Sequence, residues 1–151
     1  MFGPVSSVQS SSLQFDTTSV GADTATAIIN FESGDQHVLM WSWGVAAGAP
    51  VTSLNDFIGP KGTLQFGMTA QTAPASFNPQ TQGAFTLKAA NGREKVYTYR
   101  KKDMFAEQAK HVIRCFERSE QPLVTAEDGL AALSVADAVL RAGRNQSTVK
   151  L

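Results

Sequence analysis

The 151 residues carry 13 Lys plus Arg against 13 Asp plus Glu, with 42% hydrophobic and 17% charged residues. A chain of this size is expected to fold as one domain over residues 1–151, burying roughly 70% of its unfolded surface without staples, and its balanced charge sets nucleic acid aside as a default partner. Cys115 is the only cysteine, which excludes an intrachain disulfide; no apolar run approaches the ~20 residues of a bilayer span, so the expected setting is cytoplasmic, with no membrane partner.

Met1-Phe2-Gly3-Pro4-Val5 leads at once into a strand pattern, which suggests a fragment of a longer chain. From Val5 to Phe15, Leu13 and Phe15 alternate with polar residues and predict an extended strand. Asp16 to Asp23 reads as a small, polar loop. Ala25, Ala27 and Ile29 then alternate through a half-buried strand ending at Phe31. Glu32-Ser33-Gly34-Asp35 predicts a tight hairpin. The returning strand, Gln36 to Val45, puts His37, Leu39, Trp41 and Trp43 on one face and Val38, Met40 and Ser42 on the other. Both faces are largely apolar, so this strand is expected to be central and covered on both sides.

Thr52 to Ile58 and Thr63 to Phe66 flank a turn at Gly59-Pro60-Lys61-Gly62. Gly67 to Gln80, with Pro74 and Pro79, reads as a long surface loop or a lid. Gly83 to Lys88 and Glu94 to Tyr99 flank Asn91-Gly92, the strongest hairpin dipeptide in the chain. Asp103 is the expected N-cap of a first helix, whose Phe105, Ala109, Val112, Ile113 and Phe116 make one apolar stripe. Pro122 blocks its continuation. Thr125, with Asp128 three residues on, begins a second helix with a variant of the capping box. Leu130, Leu133, Ala136 and Leu140 line one face, broadened by Ala132, Val135 and Val139, and Gly143 is expected to close the helix. Thr148 to Leu151 can pair as a final edge strand. Hairpin-linked strands followed by grouped helices predict an α+β fold: an open, mainly antiparallel β-sheet with two C-terminal helices packed on one face.

Trp41, Trp43 and His37 are the candidate substrate-binding residues. An indole face stacks on the C–H face of a sugar ring, and an imidazole can donate to a hydroxyl. The plainer readings are sheet packing or a subunit contact for the tryptophans and a surface position for the histidine. Tyr97 and Tyr99 share a strand face as packers or as substrate-contacting hydroxyls. His111 reads as helix packing, Asp23, Asp56 and Asp103 as turn and cap residues, and Asp137 as a partner for Arg141. His37 and His111 lie on different elements without further ligands at matching spacing, so no metal site is expected.

The ordered set Phe105, Gln108, His111-Val112-Ile113, Cys115-Phe116, Pro122, Val124-Thr125, Glu127-Asp128-Gly129, Ala131-Ala132-Leu133, Val135-Ala136, Val149 and Leu151 resembles the C-terminal domain of the Gfo/Idh/MocA oxidoreductases. Upstream, Gly3-Pro4-Val5, Asp23-Thr24-Ala25, Phe31-Glu32-Ser33-Gly34, Ser42-Trp43 and Ile58-Gly59-Pro60-Lys61-Gly62-Thr63-Leu64 extend the resemblance over nearly the whole chain. It implies a partner Rossmann domain, absent here, that carries NAD or NADP in the intact enzyme. It also implies a small sugar or polyol substrate and a homo-oligomer built through the sheet face. No cofactor site is expected in this chain: Gly59-x-x-Gly62 lacks the following helix that a pyrophosphate needs. No Lys immediately precedes a Pro, so the family's Lys-Pro motif is missing, and its Asp and His pair would lie before this chain begins. No catalytic residue carries over, and the chain alone is expected not to transfer a hydride. The alternative is a stand-alone, non-catalytic binding or scaffold module with the same fold.

Overall fold

The computed structural model describes residues 2–15, 17–18, 20–44, 55–68 and 73–151. Its elements run β1 (Val5–Leu13), β2 (Thr24–Phe31), β3 (Gln36–Ser42), β4 (Asp56–Gly59), β5 (Gly62–Phe66), β6 (Gln82–Ala89), β7 (Glu94–Arg100), α1 (Met104–Arg118), α2 (Ala126–Asn145) and β8 (Val149–Lys150). The α+β class with antiparallel strands is as expected. The strands divide into two four-stranded sheets, ordered β3-β2-β1-β8 and β4-β5-β6-β7. They fall in two compact units, Met1–Ala49 with Gln121–Leu151, and Pro50–Glu120.

In the first unit, alternation along β2 turns Ala25, Ala27 and Ile29 to one side, where all three are buried. Val8 of β1 pairs with Ile29 and is fully buried. Ala138 and Val139 of α2 close this core, with Val5, Phe31, Trp41, Val135 and Val149 packed around it. The C-terminal strand β8 pairs with β1, Val149 opposite Val8, as its edge-strand reading requires. The loop from β1 to β2 is pinned by the buried carboxylate of Asp23. It accepts the Phe15 N–H at 2.9 and 3.1 Å and the Thr24 hydroxyl at 3.0 Å. The Asp23 carbonyl accepts the Trp43 N–H at 2.7 Å.

Three expectations are corrected here. Among the described residues β3 is not central: it pairs with β2 and forms an edge of its sheet, and Val38 and Met40 on its outer face are 63% and 78% exposed. Apolar residues on both faces of a strand do not reveal which neighbours the chain will supply; among the described residues β8 pairs with β1, and β3 has β2 as its strand neighbour. The packing face of α2 is also different. Ala138, Val139, Ala142 and Gly143 are its buried residues, whereas Leu130, Leu133 and Leu140 are exposed. The small face allows a close approach to the serine-rich β1. Gly143 consequently does not stop the helix. A Cβ there would meet Ser12 Oγ at 2.8 Å and Ser10 Oγ at 3.2 Å. The helix runs on to Asn145, and Gln146 takes the left-handed cap at φ 50°.

The N-terminus of α2 forms as the sequence predicts. Asp128 N–H donates to Thr125 Oγ1, and the Asp128 carboxylate accepts the Thr125 N–H at 2.8 Å. That backbone hydrogen bond, with the Thr125 hydroxyl, holds the Asp128 carboxyl below its ordinary range. Arg141 Nε reaches Asp137 at 2.8 Å, the expected one-turn pair.

In the second unit the strands form a meander. The β6–β7 turn is at Asn91-Gly92, with Gly92 at φ 80° and its N–H bonded to Ala89 O at 2.9 Å. Register places Phe66, Phe85 and Tyr97 in one row across three strands. Phe85 and Tyr97 stack at 4.9 Å, and Lys95 Nζ lies 4.6 Å from the Tyr97 centroid. Asp103 caps α1, accepting from the Phe105 and Ala106 N–H groups at 2.9 and 3.1 Å. Glu107 pairs with Lys110 and Lys102, and the Lys110 hydrogen bond is the main cause that lowers its carboxyl. The apolar stripe of α1 is formed but not buried: Phe105, Val112, Ile113 and Phe116 are all exposed. The predicted ends of the strands at Val45 and Thr52 lie outside the described residues.

Candidate functional site

The three residues singled out from the sequence all lie on or just beyond β3. His37 pairs with Ile29 and Trp41 with Ala25, which puts both on the core-facing side of the first sheet. Trp41 is half-buried and packs against the core. His37 is exposed at the start of the strand. Trp43 follows the strand's end; its backbone is held by Asp23, and its side chain is 83% exposed. The fold thus brings Trp41 and Trp43 to one end of β3 and leaves His37 at the other.

The other side chains weighed from the sequence make the following contacts. Tyr97 stacks on Phe85. The Tyr99 ring covers Gly83, where an added Cβ would collide with it. His111 Nδ1 lies 3.2 Å from an Arg114 guanidinium nitrogen, and its Nε2 lies 3.6 Å from Cys115 Sγ. Gly59 and Gly62 pair with one another in the β4–β5 hairpin. Gly62 has a φ of 145°, and a Cβ there would strike the Lys88 carbonyl, so the residue serves the turn. Among the described residues no three His, Cys, Asp or Glu side chains gather as a metal ion would need. Among the described residues no helix is long and apolar enough to cross a membrane.

Two concavities lie away from β3. One, of about 390 Å³, is apolar and sits in the first unit between Pro4, Val5 and Leu151 and the Ala131–Val135 face of α2. The other, of about 650 Å³, lies in the second unit and is lined by Asp56, Gln65, Ala84, Thr86 and Lys101 among others. Asp56 and Gln65 are direct cross-strand partners, and Gln65 Nε2 donates to Asp56 Oδ2 at 2.9 Å. Asp56 is therefore a strand residue with a side-chain partner, in place of the turn role read from the sequence. The pairing was open to inference. A hairpin closed by Gly59 and Gly62 sets Asp56 opposite Gln65 by counting outward from the turn.

Comparison with known proteins gives the frame. The aldose-aldose oxidoreductase from Caulobacter crescentus, solved with glycerol, superposes with a TM-score of 0.72 at 23% identity, over 99% of this chain and 42% of that one. An oxidoreductase from Agrobacterium radiobacter, solved with NAD+, L-tartaric acid and magnesium, gives 0.72 at 15% identity, over 99% and 44%. The WlbA dehydrogenase from Bordetella pertussis, solved with NADH and UDP-GlcNAcA, gives 0.62 at 15%, over 98% and 39%. At these identities the likeness is one of fold. The chain spans less than half the length of these solved chains. No curated protein matches it. The family described as "Oxidoreductase family, C-terminal alpha/beta domain" matches over residues 1–151, and the chain belongs to that Gfo/Idh/MocA family.

Proposed function

We propose that this chain is the substrate-binding and oligomerisation domain of an NAD(P)-dependent sugar or polyol oxidoreductase. The observation that carries the reading is the family match over all 151 residues. In the intact enzyme a Rossmann domain holds NAD or NADP, which supplies hydride chemistry at a carbinol carbon. The present residues act as one domain that forms the wall of the substrate pocket. Trp43 offers an open indole face to a sugar ring, Trp41 braces the strand beneath, and His37 donates to a hydroxyl. Solved relatives hold glycerol, L-tartaric acid and UDP-GlcNAcA, which supports a hydroxylated substrate. A sheet face pairs with a second copy of the chain, and the cytoplasm is the working compartment.

Calorimetric titration with NAD+ and with NADPH tests the division of labour. The chain alone should give no binding heat, and clear binding would contradict it. Sedimentation at micromolar concentration should show an oligomer; a clean monomer counts against the sheet-face contact. Trp43→Ala in the enzyme joined to its Rossmann domain should raise KM for sugar with little change in KM for cofactor.

A further inference from the structure

We propose that Asn91 is a covalent modification site, where the side-chain amide cyclises onto the Gly92 nitrogen, releases ammonia and is hydrolysed to aspartate and isoaspartate. The proposal is independent of the substrate reading above. Asn91-Gly92 is the one Asn-Gly pair in the sequence. It forms the tip of the β6–β7 hairpin, where every residue from Ala90 to Lys95 is exposed. Gly92 brings no side chain to shield its nitrogen, and nothing lies within 4 Å of where a Cβ would sit. Arg93 N–H donates to Asn91 Oδ1 at 3.1 Å. That bond spans Gly92, so it holds the carboxamide alongside the attacking nitrogen. It also polarises the amide carbonyl, as a donor does for the oxyanion of a tetrahedral intermediate. The Gly92 N–H itself donates to Ala89 O at 2.9 Å, so ring closure waits on a local opening of the turn. The exposed tip offers little resistance to that opening.

In the ring closure the Gly92 nitrogen gives its proton to hydroxide and bonds to Asn91 Cγ. The Cγ–Nδ2 bond breaks, and that nitrogen leaves as ammonia. Water then opens the cyclic imide. Attack at Cγ restores the ordinary main chain with an aspartate; attack at the backbone carbonyl routes the chain through Cγ and gives isoaspartate. No group is oxidised or reduced. Other residues of the same chemical kind are disabled by their surroundings. Asn78 Oδ1 accepts the Gln80 N–H at 2.9 Å, the same local bond, but Pro79 follows and its nitrogen has no proton to lose. Asn30 lies inside β2 with its amide bonded to both Ser7 and Gln36, and Phe31 follows it. Asp128 also precedes a glycine. Its carboxylate accepts the Thr125 N–H and hydroxyl, which favour the ionised, poorly electrophilic form. The Gly129 N–H is tied to Thr125 O at 3.1 Å in the first turn of α2.

The test is incubation of the full chain in mildly alkaline buffer, followed by peptide mass mapping and enzymatic methylation of isoaspartate. Asn91 should convert about tenfold or more faster than Asn30, Asn78 or Asp128, and isoaspartate should be among its products. Isoaspartate adds a carbon to the main chain at the turn, so the β6–β7 register and the Phe85–Tyr97 stack should loosen in the methylatable fraction. Gly92→Ala should slow conversion by about tenfold. Because Gly92 has a φ of 80°, that variant strains the turn. Asn91→Gln is therefore made beside it: its longer side chain would close a larger ring, and methylation at this position should disappear while the fold is kept. Conversion that begins at another asparagine overturns the proposal. Aspartate at this position with no isoaspartate overturns the cyclic route, and an unchanged Asn91 in a chain that has stayed folded overturns the site.

Discussion

The two units each hold four antiparallel strands, and they do so by different means. The first lays α2 across its sheet and buries Val8, Ala25, Ala27 and Ile29 beneath a face of alanine, valine and glycine. The second relies on pairs across strands, the Phe85–Tyr97 stack and the Phe57–Phe66 contact, and of its residues Ala84 and Thr86 are buried. Burial of a side chain contributes about 1.5–3 kcal/mol, whereas a cross-strand pair contributes about 0.2–1 kcal/mol. A side chain of given size therefore matters more in the first unit than in the second.

The largest effect is expected at Asp23. Asp23→Ala leaves the Phe15 N–H and the Thr24 hydroxyl without their carboxylate and should lower stability by about 3 kcal/mol in urea denaturation. Next comes Val8→Ala, at about 2 kcal/mol, because the site is fully enclosed. Phe85→Ala removes more atoms and should still cost only about 1 kcal/mol. A loss equal to that of Val8→Ala would break the comparison between the units. Smallest is the acid response of the α2 cap. The Asp128 carboxyl is held below its unfolded value, so its stabilising effect is present above the unfolded range and fades as pH falls through the folded one. Helical circular dichroism should show this loss in acid, and Asp128→Asn should flatten it.

Much of the fold was legible because local chemistry decides it. Asp103, Thr125 and Asp128 carry their own capping geometry, and Asn91-Gly92 carries its turn, whatever surrounds them. The candidate site was less legible. Trp41, Trp43 and His37 stand out by residue type, but type alone does not place Trp41 against the core and Trp43 in solvent. The Asp56–Gln65 pair carried a weaker signal, since neither residue is unusual until the hairpin sets one opposite the other. The apolar pattern of α2 extends well beyond one narrow stripe, so periodicity gave no ground for preferring its small residues over its leucines.

The sequence by itself determined where strands turn, where both helices begin and that the class is α+β with antiparallel pairing. Those outcomes follow from interactions within a few residues. Only the tertiary structure decided that β3 is an edge, that α2 lies on its small face, and that Gly143 permits a close contact with β1 instead of ending a helix. Each of those depends on which distant segment arrives as a neighbour, and close packing between distant segments is a property of the assembled chain.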